Sequence, residues 1–364
     1  MQKDMNFKLA ILPGDGIGPE VTDQALKVLR TIEMTFGHRF DCHFADMGAI
    51  AIDNHGDPLP QATLDTCLAA DAILFGAIGH PRFDNDPTAK VRPEQGLLRL
   101  RKSLGLFANI RPVTVYPNLL HLSPLREEKV RGVDFVIFRE LTGGIYFGEK
   151  GKTEDSAFDN CVYTKIEVER IARLAFEYAR LRRNKLTLVD KANVLETSRF
   201  WRKIVFDLGA AKYPDVQLDW MYVDNAAMQI IQFPASFDVV LTENMFGDIL
   251  SDEASVLAGS LGMLPSASVG AKVALFEPIH GSYPQAAGKD IANPLAAILS
   301  AAMMLDHLGL GEEANTIREA VKTVLEAGYG TSDLQAEKTV KCSEMGDLVA
   351  GKVTELAAQA VELA

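Results

Sequence analysis

The sequence predicts an α/β fold in which helices cover a mainly parallel sheet. Short apolar runs alternate with stretches of helical periodicity, and several of these runs end in charged or polar residues. Alternation of this kind is typical of parallel sheets, because the crossover between two parallel strands is usually a helix. The 364 residues, 48% of them hydrophobic, are enough for at least one large core and suggest two domains.

Six apolar runs predict the strands. The first, FKLAILP (7–13), comes before a helical pattern from Val21 to Met34. The later runs are DAILFGA (71–77), VDFVIFREL (133–141), KLTLVDKA (185–192), LDWMYVDN (218–225) and FDVVLTEN (237–244). Their apolar character and their limited length fit buried strands.

Charged or polar residues end four of these runs. The pairs are Arg139-Glu140, Asp190-Lys191, Asp224-Asn225 and Glu243-Asn244. A charge at any one strand end is commonplace, but open α/β sheets bind their ligands beyond the carboxyl ends of the strands. Four such ends together predict one cleft that collects these side chains.

The charge balance limits the class of partner. With 37 basic and 49 acidic residues the formal net charge is -12, which repels phosphate backbones. Nucleic acid is therefore not an expected partner. An anionic substrate would need a local arginine cluster or a bound cation to overcome this field.

Three features predict a cytoplasmic protein that does not enter a membrane. The four cysteines (42, 67, 161 and 342) form no CxxC pair and no metal-finger spacing. The first residues, MQKDMNFKLAIL, lack the long apolar region and cleavage site of a signal peptide. The longest apolar stretch, 295–305, is too short to span a bilayer.

Three aspartates are the candidate ligands of a divalent metal. In ENMFGDILSDEASVLAG, Asp248 and Asp252 are four residues apart, so a helix would place both on one face, about 5–6 Å apart at Cβ. Together with Asp224 they would supply the hard oxygen ligands that Mg²⁺ or Mn²⁺ prefers. The alternative is that both acids lie in the first turn of a helix, where the helix dipole favours them.

A metal that polarises a substrate hydroxyl needs a base nearby, and Lys191 is the candidate. A lysine that is crowded by cations or partly desolvated can lose its proton near neutral pH. The alternative is a surface lysine paired with Asp190 or Glu196.

Three arginines are candidates for holding a dicarboxylate. Arg101 follows Glu94, Leu97 and Leu98 at helical spacings in PEQGLLRLRKSLGLF, and Arg111 and Arg139 supply two more guanidiniums. Guanidinium groups bind carboxylates through two parallel hydrogen bonds. The leucines are core residues on the ordinary interpretation, but beside the arginines they would suit a branched aliphatic group.

Two glycine-rich segments are considered as nucleotide-binding loops. The loop PGDGIGPE reads GxGxG rather than GxGxxG, and no acidic residue ends a second strand at the expected distance, so a Rossmann fingerprint is rejected. The Walker signature is absent as well. EPIHGSYPQAAGKDIANP is the better candidate, because Gly281, Ser282 and Gly288 leave backbone amides free before a helix predicted to begin near Asn293-Pro294.

Six motifs in their order resemble the isocitrate/isopropylmalate dehydrogenase family of β-decarboxylating dehydrogenases. They are LPGDGIGPEV, RELTGGIYFGE, DKANVLE, YVDNAAMQ, NMFGDILSDEAS and EPIHGS. The resemblance runs almost from end to end. It implies two α/β domains that share a large central sheet, in a homodimer with shared active sites. The large cofactor-binding domain would comprise 1–106 and 259–364, and the small domain, for dimerisation, metal and catalysis, would comprise 107–258.

The resemblance also implies an activity. Leu97 and Leu98 stand where the isopropylmalate branch of the family faces the isopropyl group and where isocitrate dehydrogenases carry small polar residues. We therefore expect oxidative decarboxylation of 3-isopropylmalate to 4-methyl-2-oxopentanoate with NAD⁺, a step of leucine biosynthesis. The alternatives are isocitrate, tartrate or malate as substrate, and more remotely a Mg²⁺-dependent phosphohydrolase or a non-catalytic binding module.

Site residues follow from the same resemblance. Asp224, Asp248 and Asp252 would bind the metal, with Asp224 and the base Lys191 coming from the partner subunit, and Tyr146 would protonate the product enolate. Glu94, Leu97, Leu98, Arg101, Arg111, Arg139 and Asp224 would contact the substrate. The cofactor would be bound by Gly79, His80, Glu277, His280, Gly281, Ser282, Tyr283, Gln285, Gly288, Asn293 and Asp333.

The chain departs from the family pattern at two places. NAD-linked relatives usually read GSAPDIAG, whereas this chain has GSYPQAAG, with Gln285 in place of the aspartate. The lysine–tyrosine pair of bacterial NADP-linked isocitrate dehydrogenases is missing too, so NAD remains the expected cofactor. His80 stands where the family more often has glycine, on a loop near the nicotinamide.

Overall fold

The six apolar runs all form strands of one large central sheet in the computed structural model, which describes residues 5–84 and 90–363. The chain divides into two compact units. The first comprises Met1–Leu104 and Ser260–Ala364, and the second comprises Gly105–Gly259.

The first unit begins with alternating strands and helices. The elements are β1 (Asn6–Gly14), α1 (Gly18–Phe36), β2 (Arg39–Phe44), α2 (Ala49–His55), α3 (Gln61–Ala69), β3 (Ala72–Ala77), α4 (Pro81–Asp84) and α5 (Pro93–Leu104). In α1, apolar side chains such as Val21, Ala25 and Leu29 recur at helical spacing and are buried. The helix stops at Gly37, which caps it in the left-handed conformation at φ 80°.

The second unit contains the predicted strand ends. The elements are β4 (Ala108–Thr114), α6 (Glu127–Val130), β5 (Asp134–Glu140), β6 (Lys150–Lys152), β7 (Ala157–Asp159), α7 (Lys165–Arg180), β8 (Lys185–Asp190), α8 (Glu196–Lys212), β9 (Gln217–Tyr222), α9 (Val223–Gln232), β10 (Val239–Thr242) and α10 (Asn244–Ser255). The sheet order is β4-β5-β10-β8-β9.

Strands β5, β10, β8 and β9 are parallel neighbours, so their carboxyl ends meet at one edge. These are the four strands whose ends carry the polar pairs, and the predicted clustering at one edge is confirmed. Beneath that edge, α9 and α10 bury Ile230 and Leu250 against Phe135, Ile137 and Val240.

The chain then returns to the first unit. The elements are β11 (Pro265–Val269), β12 (Ala274–Pro278), α11 (Leu295–His307), α12 (Gly311–Glu326), β13 (Tyr329–Gly330), β14 (Lys338–Thr339) and α13 (Cys342–Leu363). The sheet order here is β2-β1-β3-β12-β11. Helix α11 is buried nearly all round, which explains the apolar stretch 295–305 as a core helix. Among the described residues, no helix is both long and apolar enough to cross a membrane.

The mainly parallel sheet is confirmed, with two exceptions. Strand β4 runs antiparallel to β5, and β11 runs antiparallel to β12. The sequence patterns did not predict β2, β4, β11 or β12. Polar residues dominate β2, Arg111 and Pro112 interrupt β4, and β11 and β12 are short, so none of the four has a clear strand pattern.

Candidate active site

Arg139 is the fixed centre of the polar edge in the second unit. It lies at the end of β5 with only 7% of its surface exposed. Its Nε and Nη2 donate hydrogen bonds of 3.1 and 2.9 Å to Oδ1 of Asn244, and Nη1 donates to Oδ1 of Asp248. Glu243 caps α10 by accepting a hydrogen bond from the backbone N–H of Phe246 at 2.9 Å. The start of α10 and the end of β5 are therefore joined through charged groups.

Tyr146 reaches the same aspartate from a short 3₁₀ helix, Gly144–Tyr146. Its phenol O–H donates to Oδ2 of Asp248 at 2.8 Å, and its ring centroid lies 5.8 Å from Cζ of Arg139. Burial, and then the hydrogen bond to Asp248, raises the pKa of Tyr146 above its usual value. The phenol thus stays protonated at neutral pH, as a proton donor must.

Asp252 is held by another of the predicted arginines. Nη1 of Arg111, on β4, donates to Oδ1 of Asp252 at 2.8 Å and to the hydroxyl of Ser251 at 2.8 Å. The predicted helix carrying Asp248 and Asp252 is confirmed as α10. Its first turn holds no acidic residue, so the dipole alternative for the two aspartates is wrong.

Lys191 and Asp224 form a pair of their own. Nζ of Lys191 donates to Oδ1 of Asp224 at 2.6 Å, and this hydrogen bond holds the pKa of Asp224 below its usual value. The alternative pairing of Lys191 with Asp190 or Glu196 is wrong, since those two carboxylates accept hydrogen bonds from Arg202 and Arg199.

Asp224 does not join the other two aspartates within one chain. Over residues 5–84 and 90–363, no three His, Cys, Asp or Glu side chains are grouped so that they could hold a metal ion. Asp248 and Asp252 share a helix, but the third predicted ligand lies on α9, engaged with Lys191.

A cavity of about 710 Å³ lies in the first unit, around the loop that follows β12. Its lining includes Ile17, Leu261, His280, Tyr283, Asn293 and Asp333. Nδ1 of His280 lies 2.9 Å from the carbonyl oxygen of Gly281, whereas its buried Nε2 has no partner among the described residues. Burial lowers the pKa of His280, so the ring is neutral at physiological pH.

Asp333 organises the polar wall of this cavity. Its carboxylate accepts hydrogen bonds from the hydroxyls of Ser260 and Thr331, both at 2.6 Å, and from Nδ2 of Asn293 at 3.0 Å. Oδ1 of Asn293 accepts from the backbone N–H of Leu295 at 3.0 Å. This bond ties the wall to the start of α11, where the sequence predicted a helix to begin.

The GxGxG loop supports the loop after β12. Gly16 has φ +59°, and a Cβ there would lie 1.9 Å from the carbonyl oxygen of Ser282. The N–H of Ile17 donates to that same oxygen at 2.7 Å. Sequence spacing held no signal for this role, because the partner is more than two hundred residues away along the chain.

Sequence reasoning also missed Asp15. This buried carboxylate accepts hydrogen bonds from three backbone N–H groups, those of Ala49 (2.8 Å), Ile50 (3.0 Å) and Gly79 (2.9 Å). It anchors the loop that carries His80. Nδ1 of His80 lies 3.3 Å from the backbone nitrogen of Arg82 and accepts its hydrogen, at the start of α4.

Helix α5 presents the predicted substrate residues of the first unit. Leu100 and Leu104 are in the core, but Leu98 is 56% exposed and Leu97 is half-buried. Leu98 is therefore not a core residue, and the ordinary interpretation of the leucines is wrong for this side chain. Arg101 follows on the same helix, and its Nη2 donates to Oε1 of Glu277 at 2.7 Å. Glu94 is exposed at the start of α5.

The loop after β12 has an unusual backbone. Tyr283 adopts a left-handed conformation at φ 37°, and both Tyr283 and Gln285 are exposed. The backbone N–H of Gly288 donates to the carboxylate of Glu20, whose other oxygen accepts from the N–H of Asp290 at 3.2 Å. The loop is thus fastened to α1.

The fold agrees with comparisons against known proteins. A family model described as isocitrate/isopropylmalate dehydrogenase matches residues 8–349. The chain belongs to this family. It is accordingly a dehydrogenase, with the family's mixed α/β fold around a ten-stranded central sheet. Use of NAD and of a divalent metal is general for the family.

Close relatives cover nearly the whole chain. A 3-isopropylmalate dehydrogenase from Bacteroides fragilis is 56% identical over 92% of this chain and 94% of its own length. A 3-isopropylmalate dehydrogenase from Thermotoga maritima is 55% identical over 96% of this chain and 100% of its own length. A solved isocitrate dehydrogenase from Methylococcus capsulatus superposes with a TM-score of 0.82 at 37% identity, over 96% of this chain and 99% of its own.

Proposed function

We propose that this family member is an NAD-dependent 3-isopropylmalate dehydrogenase of leucine biosynthesis. It converts 3-isopropylmalate to 4-methyl-2-oxopentanoate and carbon dioxide. The observation that carries the proposal is the 55–56% identity, over more than nine-tenths of the chain, to relatives named 3-isopropylmalate dehydrogenase. The exposed Leu98, three residues before Arg101 on α5, suits a branched dicarboxylate.

The donor chemistry fits a divalent metal held by Asp224, Asp248 and Asp252. All three are carboxylates with solvent-accessible side chains, which suits Mg²⁺ or Mn²⁺. Because Asp224 is not grouped with the other two in one chain, the site is completed in a homodimer to which the partner contributes Asp224 and Lys191.

The cavity lined by His280, Asn293 and Asp333 fits the adenosine half of NAD. Its size suits a nucleoside, and the buried, unpartnered Nε2 of His280 offers a hydrogen bond to a ligand. The other cofactor residues are Gly79, His80, Glu277, Gly281, Ser282, Tyr283, Gln285 and Gly288. When bound there, NAD⁺ would supply the hydride acceptor, and a divalent metal held by the three aspartates would supply Lewis acidity toward the substrate hydroxyl.

The chain's own residues bind the substrate and move its protons. Arg101, Arg111 and Arg139 hold the two carboxylates, Leu97 and Leu98 contact the isopropyl group, and Glu94 also contacts the substrate. Nζ of Lys191, as the neutral amine, takes the proton of the C2 hydroxyl. After the C3 carboxylate leaves as carbon dioxide, the O–H of Tyr146 returns a proton to C3.

The proposal includes the predicted large cofactor-binding domain (1–106 and 259–364) and the predicted small catalytic domain (107–258). It also includes the predicted location in the cytoplasm. The cavity lies in the first unit, and Tyr146, Lys191 and the three aspartates lie in the second.

One assay tests the proposal. NADH or NADPH formation is followed with 3-isopropylmalate, isocitrate, tartrate and D-malate in parallel, with Mn²⁺ and after chelation. We expect metal-dependent turnover that is fastest with 3-isopropylmalate and NAD⁺. Preference for another malate derivative would replace the substrate, and preference for NADP⁺ would replace the cofactor. Absence of any nicotinamide reduction would reject the dehydrogenase assignment.

A further inference from the structure

Tyr163 lies beneath the second unit's polar edge and has no role in the chemistry proposed above. It is buried, and its ring meets that of Trp201 edge-on at 5.2 Å between centroids. Its phenol O–H donates to Oε2 of Glu243 at 3.0 Å, and the phenol oxygen accepts from the backbone N–H of Asn244 at 3.0 Å. Tyr163 therefore holds the first residues of α10 through two hydrogen bonds.

The same ring also supports the loop that carries Tyr146. A Cβ on Gly143 would lie 2.6 Å from Cε1 of Tyr163, and one on Gly144 would lie 2.3 Å from its hydroxyl oxygen. Gly144 has φ +75°, a conformation that side chains rarely adopt, and its N–H donates to the carbonyl oxygen of Val162 at 3.0 Å. The loop thus rests directly on the face and hydroxyl of Tyr163.

The two supported segments meet again at Asp248. Helix α10 brings the carboxylate of Asp248, and the loop brings the phenol of Tyr146, whose O–H donates to Oδ2 at 2.8 Å. Nδ2 of Asn244 links the two segments once more by donating to the carbonyl oxygen of Gly143 at 3.3 Å. The contacts therefore form a closed circuit. One path leads from Tyr163 through α10 to Asp248, and the other leads from Tyr163 through the two glycines to Tyr146, which contacts Asp248.

We propose that Tyr163 is a positioning residue that sets the hydroxyl of Tyr146 against Asp248. The inference rests on the proposed role of Tyr146 as proton donor. Tyr163 does not touch the reacting atoms in this assignment. It acts by fixing two segments at one end so that their other ends meet within hydrogen-bond distance, where a small shift would misplace the donor.

A double-mutant cycle tests this role. Tyr163→Phe keeps the ring under the glycines but removes both hydrogen bonds to α10. We expect kcat with 3-isopropylmalate to fall about tenfold, with KM changed less than about twofold, because one misplaced hydrogen bond is of that order. In the Tyr146→Phe background, the same substitution should change kcat less than about twofold.

A control and a second variant keep the test decisive. Tyr213→Phe removes a buried phenol whose ring stacks on Phe176 at 4.6 Å in the same unit, and it should leave kcat unchanged. Gly144→Ala disturbs the Tyr163 contact from the loop side, and its kcat loss should also vanish in the Tyr146→Phe background. Gly144→Ala replaces Tyr163→Phe as the test variant if Tyr163→Phe does not fold.

The outcomes separate this inference from the proposed function. Equal losses in both backgrounds, or no loss in either, would overturn the positioning role of Tyr163 while the activity assignment stands. A wild-type protein that does not turn over 3-isopropylmalate would instead overturn the proposed function itself.

Discussion

The phenol O–H of Tyr146 donates a 2.8 Å hydrogen bond to Oδ2 of Asp248, whose Oδ1 accepts from Arg139. The proposed proton donor, a proposed metal ligand and a proposed substrate arginine are thus in direct contact. Because the carboxylate of Asp248 joins the other two groups, the positions of all three depend on one another, and substitutions among them should not be additive.

Tyr146→Phe removes the proton donor and keeps the ring. We expect the decarboxylation half of the reaction to slow at its protonation step more than hydride transfer does, so that less 4-methyl-2-oxopentanoate is released per NADH formed in the early turnovers. General acid catalysis contributes about 100-fold to 10,000-fold, which sets the scale of the loss. Tyr329→Phe, in the first unit, is the control. An unchanged product ratio would remove Tyr146 from this role.

Lys191→Ala should lower kcat by at least about 100-fold, because the proposed base is lost. Binding of 3-isopropylmalate in the presence of Mn²⁺, measured by calorimetry, should change much less. Lys203→Ala deletes a lysine paired with Asp207 on the surface of α8 and should behave as wild type. Substantial turnover by Lys191→Ala would show that another group takes the hydroxyl proton.

Mixing inactive subunits tests whether Asp224 comes from the partner. Asp224→Ala and Asp248→Ala should each be inactive alone. After dissociation and reassociation of an equal mixture, heterodimers would carry one intact site, and activity should return to about a quarter of wild type. Asp248→Ala mixed with Asp252→Ala should stay inactive, because both ligands belong to the same half-site. No recovery in the first mixture would argue for a site within one chain.

Leu98→Ala tests the contact with the isopropyl group. We expect kcat/KM to fall at least about tenfold more for 3-isopropylmalate than for malate, since one methylene contributes about 10-fold to 200-fold to discrimination. Leu68→Ala, which removes an equally exposed leucine from α3 in the same unit, is the matched control. Equal losses on both substrates would exclude Leu98 as a specificity residue.

Stability should fall on acidification because of His280. Burial lowers the pKa of this imidazole in the folded protein, whereas the unfolded chain binds the proton near the usual value of about 6.5. The unfolded state therefore gains protons first as the pH falls below about 6.5, at a cost of at most about 1.4 kcal/mol for each pH unit.

Urea unfolding of the cofactor-free protein at about pH 7.5 and about pH 5.5 measures this loss. His280→Asn should show a smaller loss than wild type. His121→Asn, which removes an exposed histidine of the second unit, is the control for loss of an imidazole elsewhere. If the loss is identical in His280→Asn, other groups are responsible for the pH dependence.

Local patterns of the sequence were enough to predict six strands of the central sheet, some of the helices and one polar edge. Apolar runs and helical periodicity depend on neighbouring residues, and for this reason β5, β8, β9, β10 and α10 were predicted. The polar pairs at the ends of those strands could be placed together because parallel neighbours end on the same side. The ordered motifs added the family and the residues that we propose for the site.

Only the tertiary structure decided which groups meet. Lys191 pairs with Asp224 rather than with Asp190 or Glu196, and the GxGxG loop supports the carbonyl of Ser282. Asp15 and Tyr163 were not found from the sequence, because each acts through partners that are far away along the chain or are backbone atoms. Such contacts arise from packing and long-range hydrogen bonds, whose geometry leaves no local periodicity or spacing in the sequence.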